Sequence, residues 1–223
     1  MSTDTAARAP ATFTIARSLF ALAVFYGGMV CIAGVLGNKQ VALGPLAVEA
    51  GIFAFLLLVV VSSAVAELHG RGVADRLVRI GFVPLVASIL LSIVVRALPA
   101  SPDMQPANRD AIQLVLGGTW RIWAGGIVAY GVSQWLNVSI FSALKGREGG
   151  RLLWLRAGVA SVLSQVVDTL LFVTIAFGGE FPIGKLLVGQ MIAKVALSAL
   201  LVPPLIYAFV GLGRRLDGEA GRA

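Results

Sequence analysis

The stretch that decides the fold is LLWLRAGVASVLSQVVDTLLFVTIAF, residues 152–177. A helix needs about 20 apolar residues to cross a bilayer, and this run exceeds that. It also carries Asp168 deep inside an apolar surround. The next run, LLVGQMIAKVALSALLVPPLIY at 186–207, repeats the pattern with Lys194. A charge at the bilayer centre costs from about 2.5 kcal/mol upward, so such residues face a bundle interior or a water-filled path. These two stretches predict membrane-spanning helices that enclose something polar.

The rest of the chain agrees. Of its 223 residues, 58% are hydrophobic and 13% charged, against about 25% charged in soluble domains. Six apolar segments are legible at 17–37, 45–66, 77–98, 115–143, 152–177 and 186–211. Their length, and the lack of ten-residue alternation, predict helices rather than a barrel. The expected fold is all-α: a polytopic integral membrane protein with six transmembrane helices in one bundle. Residues 1–16 and 213–223 are expected to be short tails around a transmembrane domain at 17–212. The first segment reads as a retained helix, because its apolar core is too long for a signal peptide and no cleavage pattern follows.

The net charge of +7 does not point to nucleic acid, because the basic residues cluster at segment ends. Lys39, Arg96, Arg109 and Lys185 fall on one side. Arg8, Arg17, Arg71, Arg76, Arg79, Lys145, Arg147, Arg151, Arg156, Arg214, Arg215 and Arg222 fall on the other. The richer side is expected to be cytoplasmic, with both termini. Asp103 and Glu180 then lie near the outer face. Gly27, Gly28 and Gly34, and Gly125, Gly126 and Gly131, are expected to permit close helix contacts. Pro203-Pro204 is expected to kink the last helix. Cys31, the one cysteine, reads as a packed small core residue.

Asp168 and Lys194 are at matched depth. Counted from the shared connection at 1.5 Å per residue, each lies roughly 14 Å below the outer surface. Ser161, Gln165 and Asp168 form a polar stripe on one helix, and Gln190, Lys194 and Ser198 form one on the next. The pair either binds a ligand or ion, or is a buried ion pair that fixes helix register. Gln134 and Asn137 share one face of the fourth helix, where they either bind a ligand or bond across helices. Glu67 ends the second helix, either as a functional carboxylate or paired with a nearby Arg. Arg121 lies between Trp120 and Trp123, in what reads as an aromatic belt, and snorkelling is its ordinary role. Asn38 either caps the first helix or contributes to a site. His69 is the only histidine, so no metal is expected. The sequence contains no GxxxxGK[ST], HExxH, CxxC or GxSxG. Neither an enzyme nor a cofactor is expected. The mixed donors and acceptors suit a polar, planar or zwitterionic small molecule.

Three blocks carry a family resemblance: RIWAGGIVAYGVSQWLNVSIFSALKG (121–146), SVLSQVVDTLLFVTIAFGGEFP (161–182) and MIAKVALSALLVPPLIYAF (191–209). With AELHGRGVADRLVRIGF (66–82), they resemble the queuosine precursor transporter family, also called the vitamin uptake transporter family. The resemblance implies six helices related to the substrate-binding subunits of energy-coupling-factor vitamin transporters. It implies an inner-membrane carrier importing 7-deazaguanine precursors of queuosine: preQ0, preQ1 or queuine. It carries Asn38, Glu67, Arg121, Gln134, Gln165, Asp168 and Lys194 over as site residues, to which the face shared with Gln134 adds Asn137 and the stripe of Lys194 adds Gln190. Where the family often has acidic residues, this chain has Ser63 and Asn137. The expected partners are the small-molecule substrate and membrane lipid, with homo-oligomerisation left open. Two other readings stand: a vitamin-binding subunit that needs a separate energising module, and a membrane scaffold without a ligand. A carboxylate accepts two N–H bonds from a deazaguanine edge, an amine or amide donates to its carbonyl, and Phe172 or Trp135 covers the ring face.

Overall fold

The computed structural model describes residues 15–37, 39–44, 46–117, 120–148, 152–179 and 182–218. The elements run α1 (Arg17–Leu36), β1 (Gln40–Leu43), β2 (Leu46–Glu49), α2 (Gly51–His69), α3 (Arg71–Ala97), α4 (Pro106–Val115), α5 (Trp120–Glu148), α6 (Leu153–Phe177) and α7 (Gly184–Leu216). Six of the helices (all but α4) are long and apolar enough to cross a membrane. Asn38, Glu180, residues 1–14 of the first expected tail and 219–223 of the second lie outside the described residues.

Helix α2 is apolar on every side, as a helix at the centre of a bundle must be. It packs against α1, α3, α5, α6 and α7, and Val59, Val60 and Val61 are fully buried. The opposite case is α3, whose Ile80, Val83, Leu90, Leu91 and Val94 are exposed. Exposed aliphatics on a spanning helix suit a hydrocarbon surround.

The start of α1 and the end of α7 meet at one end of the bundle. The Ser18 backbone N–H donates to Asp217 Oδ1 at 2.9 Å, and the Ser18 hydroxyl to Asp217 Oδ2 at 2.5 Å. His69 Nε2 lies 2.8 Å from the same hydroxyl. These Ser18 bonds hold the Asp217 carboxyl below its usual range. This is the terminal end of the bundle, and the opposite one is the hairpin end.

The all-α expectation is corrected at the hairpin end. Residues 46–49, expected to open the second span, pair with 40–43 in an antiparallel hairpin, with Leu43 opposite Leu46 and Gln40 opposite Glu49. Gly44 has φ +60, which suits the first central position of a two-residue hairpin turn. The second span therefore starts at Gly51, not near 45. An added helix, α4, buries no residue and starts on Pro106, whose missing N–H costs nothing at a first helical position. Arg96 Nε donates to Gln113 Oε1 at 3.3 Å, tying α4 to the end of α3.

Other boundaries shift outward. Helix α3 begins at Arg71 rather than near 77, because Gly70 alone, with φ +86, separates it from α2. Hydropathy marks only the part of a helix within hydrocarbon; polar turns extend beyond it, as at Arg214 and Arg215 in α7. That helix also continues through Pro203 and Pro204.

The glycines divide by role. At Gly81 a Cβ would come within 2.0 Å of the Tyr130 hydroxyl oxygen, and at Gly131 within 2.8 Å of Phe82. Gly125 approaches the α6 backbone, with its Cβ position 3.4 Å from Phe172 O. Gly28, Gly34 and Gly126 make no such contact. Gly34 and Gly126 instead line a cavity in the hairpin half of the bundle, so their missing side chains supply volume rather than packing.

Candidate binding site

Asp168 and Lys194 come together as their matched depth predicts. Lys194 Nζ donates to Asp168 Oδ2 at 2.9 Å, and both side chains are 7% exposed. The Ser133 hydroxyl donates to Asp168 Oδ1 at 3.3 Å. Lys194 Nζ also stands 5.8 Å from the centre of the Phe55 ring. The α6–α7 connection is short, so the two helices run antiparallel and the two charges meet halfway down.

The pair lines a cavity of about 440 Å³ in the hairpin half of the bundle. That volume lies in the range of small-molecule pockets. Its walls come from α1, α2, α3, α5, α6 and α7, with Phe55, Trp123, Tyr130, Phe172 and Phe177 supplying aromatic faces. Ser88 and Ser92 add hydroxyls from α3. Cys31 also lines this space, and its Sγ is 3.7 Å from Pro84 O. It is therefore a cavity residue rather than a packed core one.

One turn deeper lies a sealed polar layer. Gln134, Asn137, Gln165, Ser161 and Ser198 are fully buried. Gln134 Oε1 accepts from Ser62 at 3.2 Å and from Tyr26 at 3.4 Å. Among the described residues, Gln134 Nε2, both amide atoms of Gln165, and the Ser161 and Ser198 hydroxyls have no hydrogen-bond partner. An unpaired buried polar group costs about 1–3 kcal/mol. Groups concentrated this way, directly beneath a cavity, can offer hydrogen bonds to a polar guest.

Asn137 Nδ2 donates to Ser62 Oγ and Ser63 Oγ, both at 3.1 Å, and to Val59 O at 3.3 Å. The two positions that depart from the resembled pattern, Ser63 and Asn137, thus touch each other. Two carboxylates this close would have to share a proton; a hydroxyl and an amide need none.

Other candidates stand elsewhere. Glu67 forms an ion cluster toward the terminal end, with Arg156 Nη2 at 2.7 Å and Lys145 Nζ at 3.1 Å. Arg156, read from sequence as a loop charge, is 1% exposed and stacks 4.4 Å from the Phe141 ring centre. Arg121 neither snorkels nor lines the cavity: Nε donates to Ile175 O at 3.1 Å and Nη2 to Gly178 O at 2.5 Å. It caps the end of α6 and ties it to α5, as a cation near helix C-terminal carbonyls should. Gln190 is buried, one turn from Lys194 toward the hairpin end. Trp135, expected to cover a ligand ring, is 56% exposed on the outer surface; Phe172 is the ring that lines the cavity. Trp120 is exposed as an interfacial belt requires, while Trp123 turns into the cavity.

Sequence reading missed Glu49. It ends β2 and lines the same cavity as the buried pair. Burial pushes its carboxyl above the usual range; Lys194 lowers it and Asp168 raises it. A carboxylate just inside an apolar run was the available signal, hidden because the run was read as one helix.

The fold and the cavity together define a class: a polytopic helical membrane protein with a ligand-sized chamber floored by a buried ion pair. Residues 49–209 match the family described as "Putative vitamin uptake transporter", and the chain belongs to that family. It is similar to a Bacillus subtilis (strain 168) protein named "Probable queuosine precursor transporter", with 30% identity over 142 residues. The match covers 61% of this chain and 61% of that relative's length. No solved structure matches the chain.

Proposed function

We propose that the chain is an inner-membrane carrier that imports 7-deazaguanine queuosine precursors, among them preQ0, preQ1 and queuine. The observation that carries this reading is the Asp168–Lys194 pair at the floor of an aromatic-walled cavity of about 440 Å³. The relative's name supports the same substrate class. A deazaguanine presents two adjacent N–H donors beside a carbonyl acceptor. Asp168 accepts the N–H pair, Lys194 donates to the carbonyl, and Phe172 and Trp123 cover the ring faces. The ligand replaces each partner's contact with the other, so neither charge is left buried alone. The amides of Gln165 and Gln134 lie one turn deeper, on the way to the terminal end.

Uptake tests the reading. Expressed in a strain blocked in precursor synthesis and uptake, the chain should restore queuosine in tRNA when one of the three precursors is supplied at micromolar level. Failure with all three, with protein confirmed in the membrane, would remove this substrate class.

The Lys and Arg distribution supports cytoplasmic termini and an outward hairpin end, where the cavity lies. In a Cys31→Ser background, Asp103→Cys should react with an impermeant maleimide added to intact cells. Gly72→Cys, beside the α2–α3 break, should react only after permeabilisation. The reverse pattern would invert the orientation.

A further inference from the structure

The ionisable groups of the cavity do not balance. Its lining holds two carboxylates, Glu49 and Asp168, against one ammonium, Lys194. Lys194 is committed to Asp168 at 2.9 Å. Glu49 has no hydrogen-bond or ion-pair partner among the described residues. Its position is fixed nonetheless. It pairs with Gln40 across the hairpin, and the Ala50 backbone N–H donates to Lys39 O at 2.8 Å to close the base. Val48, beside it, is 2% exposed, and β2 packs on α7, the helix that carries Lys194. Arg121 and Lys39 are two further cations at this end of the bundle. Arg121 is spent on α6 carbonyls, and the Lys39 side chain is exposed to the outside.

We propose that Glu49 is a specificity residue that reads a protonated amine on the ligand. The flat ring is held by its polar edge at Asp168 and Lys194, and a cationic arm reaches the hairpin carboxylate. This inference rests on the substrate reading above and narrows it. Among 7-deazaguanines the cavity takes the one with an aminomethyl arm in preference to the one with a nitrile. The arm sits on the five-membered ring, away from the N–H edge, so both contacts are made by one molecule. The ammonium brings the charge that the lining lacks, whereas a nitrile leaves the half-buried carboxylate unmatched. The carboxyl's rise on burial, offset by Lys194, agrees with a group that gains from an added cation.

The test is equilibrium binding to the purified full-length protein by titration calorimetry. The probes are 7-aminomethyl-7-deazaguanine and 7-cyano-7-deazaguanine; the proteins are wild type, Glu49→Gln and Glu49→Asp. Wild type should prefer the amine by about tenfold or more, the low end for one charge-assisted hydrogen bond. Glu49→Gln should erase that preference by weakening amine binding while the nitrile still binds, which also shows that the variant is folded. Glu49→Asp should keep part of the preference. Equal wild-type affinities, a preference that survives in Glu49→Gln, or a loss that falls equally on both probes would overturn the role of Glu49 alone. If neither probe binds wild type, the substrate reading itself falls, and this inference falls with it.

Discussion

Lys194→Met is expected to abolish uptake and to destabilise the protein, and Asp168→Asn to do the same. Each removes half of a pair whose side chains are 7% exposed. Breaking a buried ion pair by deleting one partner costs about 3–5 kcal/mol, because the other charge stays buried without compensation. Asp168 keeps the Ser133 hydroxyl at 3.3 Å, which favours the lower end of that range when Lys194 is lost. Among the described residues, Lys194 keeps the Phe55 ring, 5.8 Å away, and the attraction of the Glu49 carboxyl in the same cavity, so Asp168→Asn should cost a comparable amount. Thermal unfolding in detergent, alongside uptake, measures both effects. Single variants as stable as wild type would mean that water reaches the pair and discharges its cost.

The second large effect lies at the opposite end of the bundle. Glu67→Gln should destabilise the protein by a similar amount, about 3–5 kcal/mol. The reason is Arg156, which is 1% exposed and has Glu67 as its counter-ion at 2.7 Å. Its Nε and Nη1 have no hydrogen-bond partner among the described residues, so the ion pair and the Phe141 ring carry most of its compensation. The Lys145–Glu67 arm matters much less. Lys145 is 45% exposed, and ion pairs at such positions contribute about 0–1 kcal/mol. Lys145→Met should therefore be nearly silent. Arg156→Met added to Glu67→Gln should restore much of the lost stability, since apolar replacement of a buried pair is often neutral. If the double variant unfolds as readily as Glu67→Gln, the guanidinium is not the source of the cost.

The sequence made the spans and the central pair legible for one physical reason: hydrocarbon penalises polarity so strongly that run length and charge position carry the signal. Rise per residue alone put Asp168 and Lys194 at one depth, and the structure joins them. Features set by tertiary contact were not legible. LAVE is apolar and merged into the second span, although Gly44-Pro45 just before it is a turn signal. That merger hid both the hairpin and Glu49. Arg121 beside two tryptophans suited an interface, yet its partners are carbonyls more than fifty residues later. Periodicity could not say which face of α5 turns outward, so Trp135 was given a role that its exposure contradicts. Ser63 and Asn137 stood as separate departures until helix packing brought them to 3.1 Å.

The central claim is that Asp168 and Lys194 bind the ligand rather than merely lock two helices. The measurement that bears on it most directly is ligand-induced thermal stabilisation of the Asp168→Asn, Lys194→Met double variant. Removing both charges together leaves no unpaired ion, so the fold should survive. Wild type at a ligand concentration 100 times Kd should gain about 2.7 kcal/mol. The account predicts that the double variant folds and gains nothing from a 7-deazaguanine, with uptake lost. A folded double variant that is stabilised like wild type and transports normally would contradict it.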